Sequence, residues 1–228
     1  MGLRILRGAG LAAMLVVVLA LSACSSTPAG SKTAAQLVPA MQAAAAAAAS
    51  VHVAGSVKQG TQATTIDVSI SGDSVVGYLG AYGTHYYVLS LNGKSFVKLN
   101  AAFLRLERAP ASLCAQICGK YVQLSTSGAI QIADLLSMQQ IVREVFGSQN
   151  MSAAASSGCV FSPATLHGQS VLQCHAGDST LAVAAHGPPY LVYWSGPHGQ
   201  HLAFSEWNSV VLPPAPSASQ VVTLSSLS

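Results

Sequence analysis

Charge is the scarcest property of this sequence, since its 228 residues include only 10 Lys and Arg and 7 Asp and Glu. An ordinary soluble chain carries about 25% charged residues. Because no basic cluster is present to neutralise phosphates, a nucleic-acid binder is excluded. Charge-driven disorder is excluded as well, because 51% of the residues are hydrophobic and supply enough apolar surface for a core. The length suits a single domain.

Catalytic and metal-binding motifs are also missing. The sequence contains no His-Glu-x-x-His, no Gly-x-Ser-x-Gly and no Ser-x-x-Lys. No two of its seven acidic residues have a spacing that suggests a paired general acid and base. His198 and His201 flank one predicted turn, but a structural metal site needs about four ligands. We therefore predict no enzymatic activity, no metal site and no cofactor.

The N-terminus has the three regions of a secretory signal. Arg4 and Arg7 precede an apolar run over residues 10–21, and small residues follow it. The run is too short to span a hydrocarbon core of about 30 Å, so a retained transmembrane helix is the weaker interpretation. Residues 1–23 are therefore predicted to be a signal peptide. The cleaved chain keeps eight basic against seven acidic residues, too little charge to hold it at an anionic membrane.

Leu-Ser-Ala-Cys, ending at Cys24, resembles the bacterial lipobox. The resemblance implies that Cys24 carries a diacylglycerol thioether, is the first residue after cleavage and receives a further acyl chain. Two or three acyl chains anchor a protein stably, whereas one does not. Small and polar residues 24–32 are then a flexible, lipidated tether. These features predict a lipid-anchored protein on the extracytoplasmic side of the cell membrane.

Four further cysteines are an even number in a chain that leaves the cytoplasm, which indicates disulfides. Three pairings are open. We favour Cys114 with Cys118 and Cys159 with Cys174, because close pairs cost the least chain entropy to form. The three-residue gap between Cys114 and Cys118 fits neither a zinc site nor a thioredoxin-like motif, each of which has two.

Secondary structure begins with an alanine-rich stretch, residues 33–50, which predicts a helix that Pro39 kinks or restarts. Strict alternation then predicts five antiparallel strands between residues 51 and 99, with Asn92-Gly93 as the clearest hairpin signal. A short helix over residues 101–108, a cysteine loop and a strand over 120–124 follow. Apolar residues from Ile132 to Phe146 share one helical face.

Alternation returns in the last third of the chain, where it predicts four more strands between residues 171 and 207. The whole pattern predicts an α+β domain over residues 33–216, followed by a C-terminal tail, 217–228. Its core is a curved antiparallel sheet of about ten strands, covered by two or three helices.

The order of these elements resembles the actinobacterial LppX/LprG-type lipoproteins, which share a half-barrel fold with the LolA/LolB lipoprotein carriers. The resemblance rests on the lipobox, the first helix, the meander that opens Val-His-Val-Ala-Gly-Ser-Val, the Asn-Gly-Lys-Ser-Phe hairpin, the mid-chain helix and the closing Phe-Ser-Glu-Trp-Asn-Ser-Val-Val-Leu-Pro. It covers most of residues 33–214. It implies an apolar face, roofed by helices, that holds the acyl chains of a lipid or glycolipid.

Several predicted strands are apolar on both faces, as in Tyr86-Tyr87-Val88-Leu89, so both sides of the sheet are expected to be covered. Ordinary core packing explains this pattern, and so does a lipid cavity. For the cavity we assign five lining residues: Val68, Ile70, Tyr87, Leu136 and Val192. The alternative function is a membrane-anchored protein-interaction module with a filled core and no ligand, whose partner is another envelope protein.

Overall fold

The structure is a computed structural model that describes residues 32–59, 62–81, 83–125, 137, 145, 151 and 155–223. Its described part forms one open sheet of twelve strands in the order β12-β6-β5-β4-β3-β2-β1-β11-β10-β9-β8-β7. The strands are β1 Ser50–Gln59, β2 Gln62–Ser71, β3 Ser74–Ala81, β4 Thr84–Leu91, β5 Lys94–Lys98, β6 Tyr121–Gln123, β7 Ser162–Leu166, β8 Gln169–Ala176, β9 Ser179–Ala184, β10 Leu191–Ser195, β11 His201–Ser205 and β12 Val221–Thr223. All neighbours are antiparallel except β12 and β6, which are parallel.

The described part of the chain has three α-helices, α1 Ala34–Ala47, α2 Ala101–Leu106 and α3 Ala111–Ile117, and two short 3-10 helices, Pro197–Gly199 and Ala218–Gln220. At the start of α1 the Gln36 side chain accepts a hydrogen bond from the Thr33 amide at 3.1 Å. Pro39 lies inside α1, which nevertheless continues to Ala47, so the predicted restart does not occur. A proline this early in a helix removes one backbone hydrogen bond, and the buried side of α1 compensates for it.

Strand alternation gives the sheet two different faces. The face that we call the inner face carries the main core, and the four buried side chains of α1, from Ala34 to Ala45, pack into that core. The Ala34 amide donates to the Cys159 carbonyl at 2.8 Å, just before β7, whereas the other end of α1 leads directly into β1. The helix therefore crosses the half of the inner face that runs from β7 to β1.

Two glycines in the central strands have a backbone conformation that other residues rarely adopt. Gly55 in β1 and Gly77 in β3 have φ of 153° and 149°, where only glycine is comfortable. A Cβ on Gly55 would collide with the carbonyl oxygen of His201, and one on Gly77 with that of Asp67. Glycines at such positions let a sheet curve and let neighbouring backbones approach.

Elements that the sequence did not predict account for the two strands beyond the expected ten. β7 contains Pro163 and has no clear alternation, and β12 has only three residues. The expected cysteine loop is wrong, because Ala111–Ile117 forms α3. The predicted helix from Ile132 to Phe146 lies outside the described residues, apart from residues 137 and 145.

β6 and β7 lie far apart in the sheet, because β7 forms one edge and β6 lies next to the other. Ten strand spacings of about 4.8 Å separate them. Met151 is fully buried in the inner core, and Val145 packs against that core.

Candidate functional site

The five residues assigned to a cavity do not lie together. Val68 and Ile70 are fully buried on the inner face. Val68 pairs with Gly77 and Gly77 with Val88, so the adjacent Tyr87 points to the opposite, outer face. Val192 is half-buried at a register shift in β10, and Leu136 lies outside the described residues. A lining on the inner face can therefore include Val68 and Ile70 but not Tyr87.

The inner face is apolar across the sheet. Strand pairing aligns side chains from neighbouring strands into a continuous buried surface, which comprises Val122, Val97, Val88, Val75, Ile70, Val68, Val53, Phe204, Leu202, Trp194, Leu181, Val183 and Leu172. β-branched residues dominate its β1–β6 half, and larger side chains dominate the rest. The α1 helix, about 21 Å long, packs on the second of these halves, and Leu104 of α2 and Ile117 of α3 also pack into this core.

One row of this inner surface is less covered. Ile66, Leu79 and Tyr86 follow one another across β2, β3 and β4, near the strand ends, and each is half-buried. Burial raises the pKa of the Tyr86 hydroxyl above its ordinary value, so it stays neutral. The row is a partly accessible apolar rim beside the fully buried surface.

The outer face of the same strands is aromatic and polar. Tyr78 on β3 and Tyr87 on β4 meet edge to face with ring centroids 5.1 Å apart, and Tyr87 meets Tyr121 on β6 at 6.1 Å. The Lys98 ammonium lies 4.0 Å above the Tyr121 ring, a cation–π contact. Tyr78 is half exposed. Together these four side chains form a ledge across β3 to β6.

A groove of about 450 Å³ opens on this ledge. We call it the tyrosine groove; its lining residues are Tyr78, His85, Tyr86, Tyr87, Lys98, Leu99, Asn100, Gly119 and Tyr121. The Asn100 side chain is already engaged, because its oxygen accepts from the Phe103 amide at 2.8 Å and its nitrogen donates to the His85 carbonyl at 2.6 Å. A second open cavity, of about 440 Å³, adjoins it at Tyr78 and His85 and reaches Asp67.

Tyr87 is the most perturbed titratable group on this ledge. Desolvation by burial, the neighbouring Tyr121 and Tyr78, and a hydrogen bond with the Tyr121 hydroxyl raise the pKa of Tyr87 to about 12. Its hydroxyl therefore keeps its proton through the physiological range, and the hydrogen bond that raises its pKa is one in which Tyr87 donates to the Tyr121 oxygen. Sequence reasoning placed this residue in the apolar lining and missed the groove, whose only sequence signal is the spacing of tyrosines on alternating strand positions.

The chain after β11 covers the neighbouring part of the outer face. We call residues 206–220 the strap, because they lead from β11 to β12 on the far side of β6. The Asn208 amide donates to the Ser50 carbonyl at 2.9 Å, and Leu212 packs on the small outer cluster of Leu89, Leu91 and Phe96. Tyr87 and Tyr121 pack against that cluster as well. The strap thus lies beside the tyrosine groove.

A serine, a histidine and a carboxylate meet on the outer face of β1 and β2. His52 Nδ1 lies 2.9 Å from Ser69 Oγ, and His52 Nε2 lies 3.3 Å from Asp67 Oδ1. Sequence reasoning found no such combination, because it depends on strand register. The Asp67 side chain is 64% exposed, so water weakens this ion pair, and the contact acts mainly as a cross-strand link.

Two disulfides are formed. Cys114 and Cys118 are joined at the end of α3, with Cα atoms 4.8 Å apart, and Cys159 is joined to Cys174 on β8 at 6.0 Å. These are the two pairs that the sequence favours. The second bond fixes the segment whose carbonyl receives the first amide of α1, so it ties that helix to the sheet edge.

The described residues bring no three His, Cys, Asp or Glu side chains together as a metal site. Within the same part of the chain, none of the helices has the length and apolar character that a membrane crossing requires.

Comparisons with known proteins support the fold only. Protein-family profiles and curated protein sequences give no match. Among solved structures, LprF from Mycobacterium bovis is similar, with a TM-score of 0.54 and 14% sequence identity over 83% of this chain and 100% of that chain. The resemblance to LppX/LprG-type lipoproteins is therefore confirmed at the level of the fold, as is the large curved antiparallel sheet with helices.

Proposed function

We propose that this chain is a lipid-anchored protein of the cell envelope that holds the acyl part of a lipid or glycolipid against its inner face. The observation that carries the proposal is the continuous apolar surface on that face, with the half-buried rim of Ile66, Leu79 and Tyr86 at the strand ends. The fold shared with LprF supports it. Ligand pockets are mostly apolar and concave, and acyl chains need no polar partner inside one.

The half-buried rim gives the proposed ligand a way in. Ile66, Leu79 and Tyr86 lead from the strand ends to the fully buried Val68 and Val88. An acyl chain laid along this path would exchange water for apolar contact at about 0.8 kcal/mol per buried methylene. The neutral Tyr86 hydroxyl at the rim would meet the more polar end of the lipid.

The proposed anchor acts through Cys24 and the tether. The Lys32 carbonyl accepts a hydrogen bond from the Phe161 amide at 2.9 Å, which ties this residue to the fold. Seven residues separate Cys24 from Lys32, and these eight steps along the chain would reach at most about 28 Å when extended. An anchored domain would therefore stay close to the membrane surface, where acyl chains are supplied.

The ligand is tested by native mass spectrometry of the chain purified from its own membrane. We expect co-purified lipid with wild type and a several-fold loss with Val68→Phe, which fills space on the inner face. The matched control is Val211→Phe, because Val211 is 90% exposed. If Val68 contacts a void, the melting temperature changes little. If wild type carries no lipid and Val68→Phe lowers the melting temperature, the core is filled and the proposal is wrong.

The anchor is tested separately with Cys24→Ala and labelled palmitate. We expect an uncleaved or mis-sorted precursor that takes up no label. Unchanged labelling would show that Cys24 does not carry the anchor. The mass-spectrometry test of the lipid ligand does not depend on this outcome.

A further inference from the structure

One end of the sheet carries both the rim and the attachment of the tether. Neighbouring strands here are antiparallel, so β1, β3 and β5 end where β2 and β4 begin, and Ile66, Leu79 and Tyr86 lie near these strand ends. The same alternation, followed from β11 to β8, places the start of β7 at this end as well. The Phe161 amide, directly before β7, donates to the Lys32 carbonyl, so the tether joins the fold here. We call this end of the sheet the rim end.

The helices α2 and α3 also belong to the rim end. The Asn100 side chain, at the start of α2, donates to the His85 carbonyl at the beginning of β4, and α3 leads into β6, which begins beside the end of β5. The 6 residues of α2 advance only about 9 Å, whereas the 8 residues of β4 span about 27 Å. Arg105 and Arg108 therefore stay in the half of the molecule that contains the rim end.

Charge is divided unequally between the two ends of the sheet. Six of the seven basic residues in the described part of the chain belong to the rim end, with two of its five acidic residues, so this end has a net charge of +4. The opposite end has one basic residue, Lys94, and two acidic ones, Asp73 and Glu206, so its net charge is −1. The remaining acidic residue, Asp67, lies in the middle of β2. The rim end contains the basic residues Lys32, Lys58, Lys98, Arg105, Arg108 and Lys120 and the acidic residues Glu107 and Asp178.

Exposed apolar side chains lie among these cations. Leu106 on α2 is 44% exposed, and Val160, just before β7, is 51% exposed. The six basic residues are exposed as well, except Lys98, which is half-buried over the Tyr121 ring. Lys and Arg beside exposed apolar side chains are the composition that binds the surface of an anionic bilayer.

We propose that the rim end docks on the anionic phospholipid surface of the membrane that holds the anchor. The choice of this membrane rests on the proposed anchor, because the tether leaves the fold at the same end. The cleaved chain has too little total charge to be held by attraction alone, but salt screens charges beyond about 8 Å, so a membrane surface interacts with the local charge of the rim end. The acyl chains would hold the domain, and the cations would orient it. In this orientation the rim faces the bilayer from which an acyl chain would enter.

The test is sedimentation with vesicles of equal parts phosphatidylglycerol and phosphatidylcholine. The cleaved chain is made with Cys24→Ser, which removes the acylation site and keeps every described residue. We expect binding to these vesicles, and binding at least about tenfold weaker to pure phosphatidylcholine or in about 0.5 M salt. Lys120→Gln should weaken binding about fivefold, and Lys58→Gln with Lys120→Gln about 25-fold. The matched control is Lys94→Gln, an exposed lysine at the opposite end, which should leave binding unchanged.

Three results would overturn the proposal: equal binding to neutral and anionic vesicles, binding that salt does not weaken, or equal losses for Lys120→Gln and Lys94→Gln. Circular dichroism establishes that each variant is folded. Val68→Phe should bind vesicles as wild type does, because Val68 is buried on the inner face. If wild type co-purifies with lipid but does not bind anionic vesicles, docking is wrong and the proposed ligand stands. Vesicle binding without co-purified lipid would support docking and contradict the proposed ligand.

Discussion

The two faces of strands β2, β3 and β4 carry different chemistry on alternating residues of the same sequence. The inner face presents Val68, Val75 and Val88, all fully buried, whereas adjacent positions turn Tyr78 and Tyr87 outward. The inner face therefore carries buried apolar side chains, whereas the outer face of the same strands carries partly exposed aromatic ones. The comparison shows that burial sets the chemistry inside, and that solvent contact leaves the outside free to vary.

The strongest test of the difference between the faces is a charge placed on each. Val68→Asp buries a carboxylate without a partner, and we expect unfolding or a loss of more than about 4 kcal/mol in the free energy of unfolding. Ser69→Asp changes the next residue, which points outward beside His52, and we expect a change below about 1 kcal/mol. Urea denaturation measures both. Equal losses would show that the faces are not different in burial.

The second largest loss of stability is expected at Gly77 in β3, whose positive φ lets the sheet curve. Gly77→Ala combines a strained φ with a collision against the Asp67 carbonyl, so we expect a loss of about 3 kcal/mol. Gly93→Ala is the matched control, because φ is also positive there but a Cβ meets nothing within 4 Å. Its expected loss is about 1 kcal/mol. Thermal denaturation that ranks the two variants in the opposite order would contradict this role of Gly77.

The sequence predicted the parts of the fold that depend on local pattern. Strict alternation and clear turn residues located the five strands from Ser50 to Lys98, and alanine content located α1. In each case the local preference and the final structure agree, because every strand of this meander pairs with the strand that precedes it. The two disulfides follow from the same rule, since each joins cysteines that are close in sequence.

Features that depend on distant partners could not be predicted. β12 is three residues long and exists because β6 offers it a free edge, far away in sequence. The orientation of Tyr87 required the register of β3 and β4, because Tyr86 and Tyr87 are equally apolar in sequence. The strap against the outer cluster likewise depends on a contact between residues more than a hundred positions apart.

A smaller effect is expected where the strap covers the outer face. Leu212→Ala removes a half-buried side chain from the outer cluster, and we expect a loss of about 1 kcal/mol. Val211→Ala changes the neighbouring residue, which is 90% exposed, and should leave stability unchanged. Both are measured by urea denaturation. If the two variants behave alike, the strap does not stabilise the outer face, and the tyrosines beside it hold their positions without help.

The smallest effect at neutral pH, and the most specific to the outer face, is the titration of Tyr87. Its pKa is raised to about 12 in the folded chain, against 10.0 for an ordinary tyrosine. The unfolded chain therefore loses this proton first, and the stability that Tyr87 contributes is fully present below pH 10 and is lost as the pH rises towards 12. Tyr87→Phe should flatten that part of the profile of stability against pH and should remove the latest phenolate step from the ultraviolet titration. Tyr193→Phe, for a tyrosine on the same face but outside the ledge, should leave both unchanged. If the late step is unaltered in Tyr87→Phe, the tyrosine with the raised pKa is a different one, and this prediction is wrong.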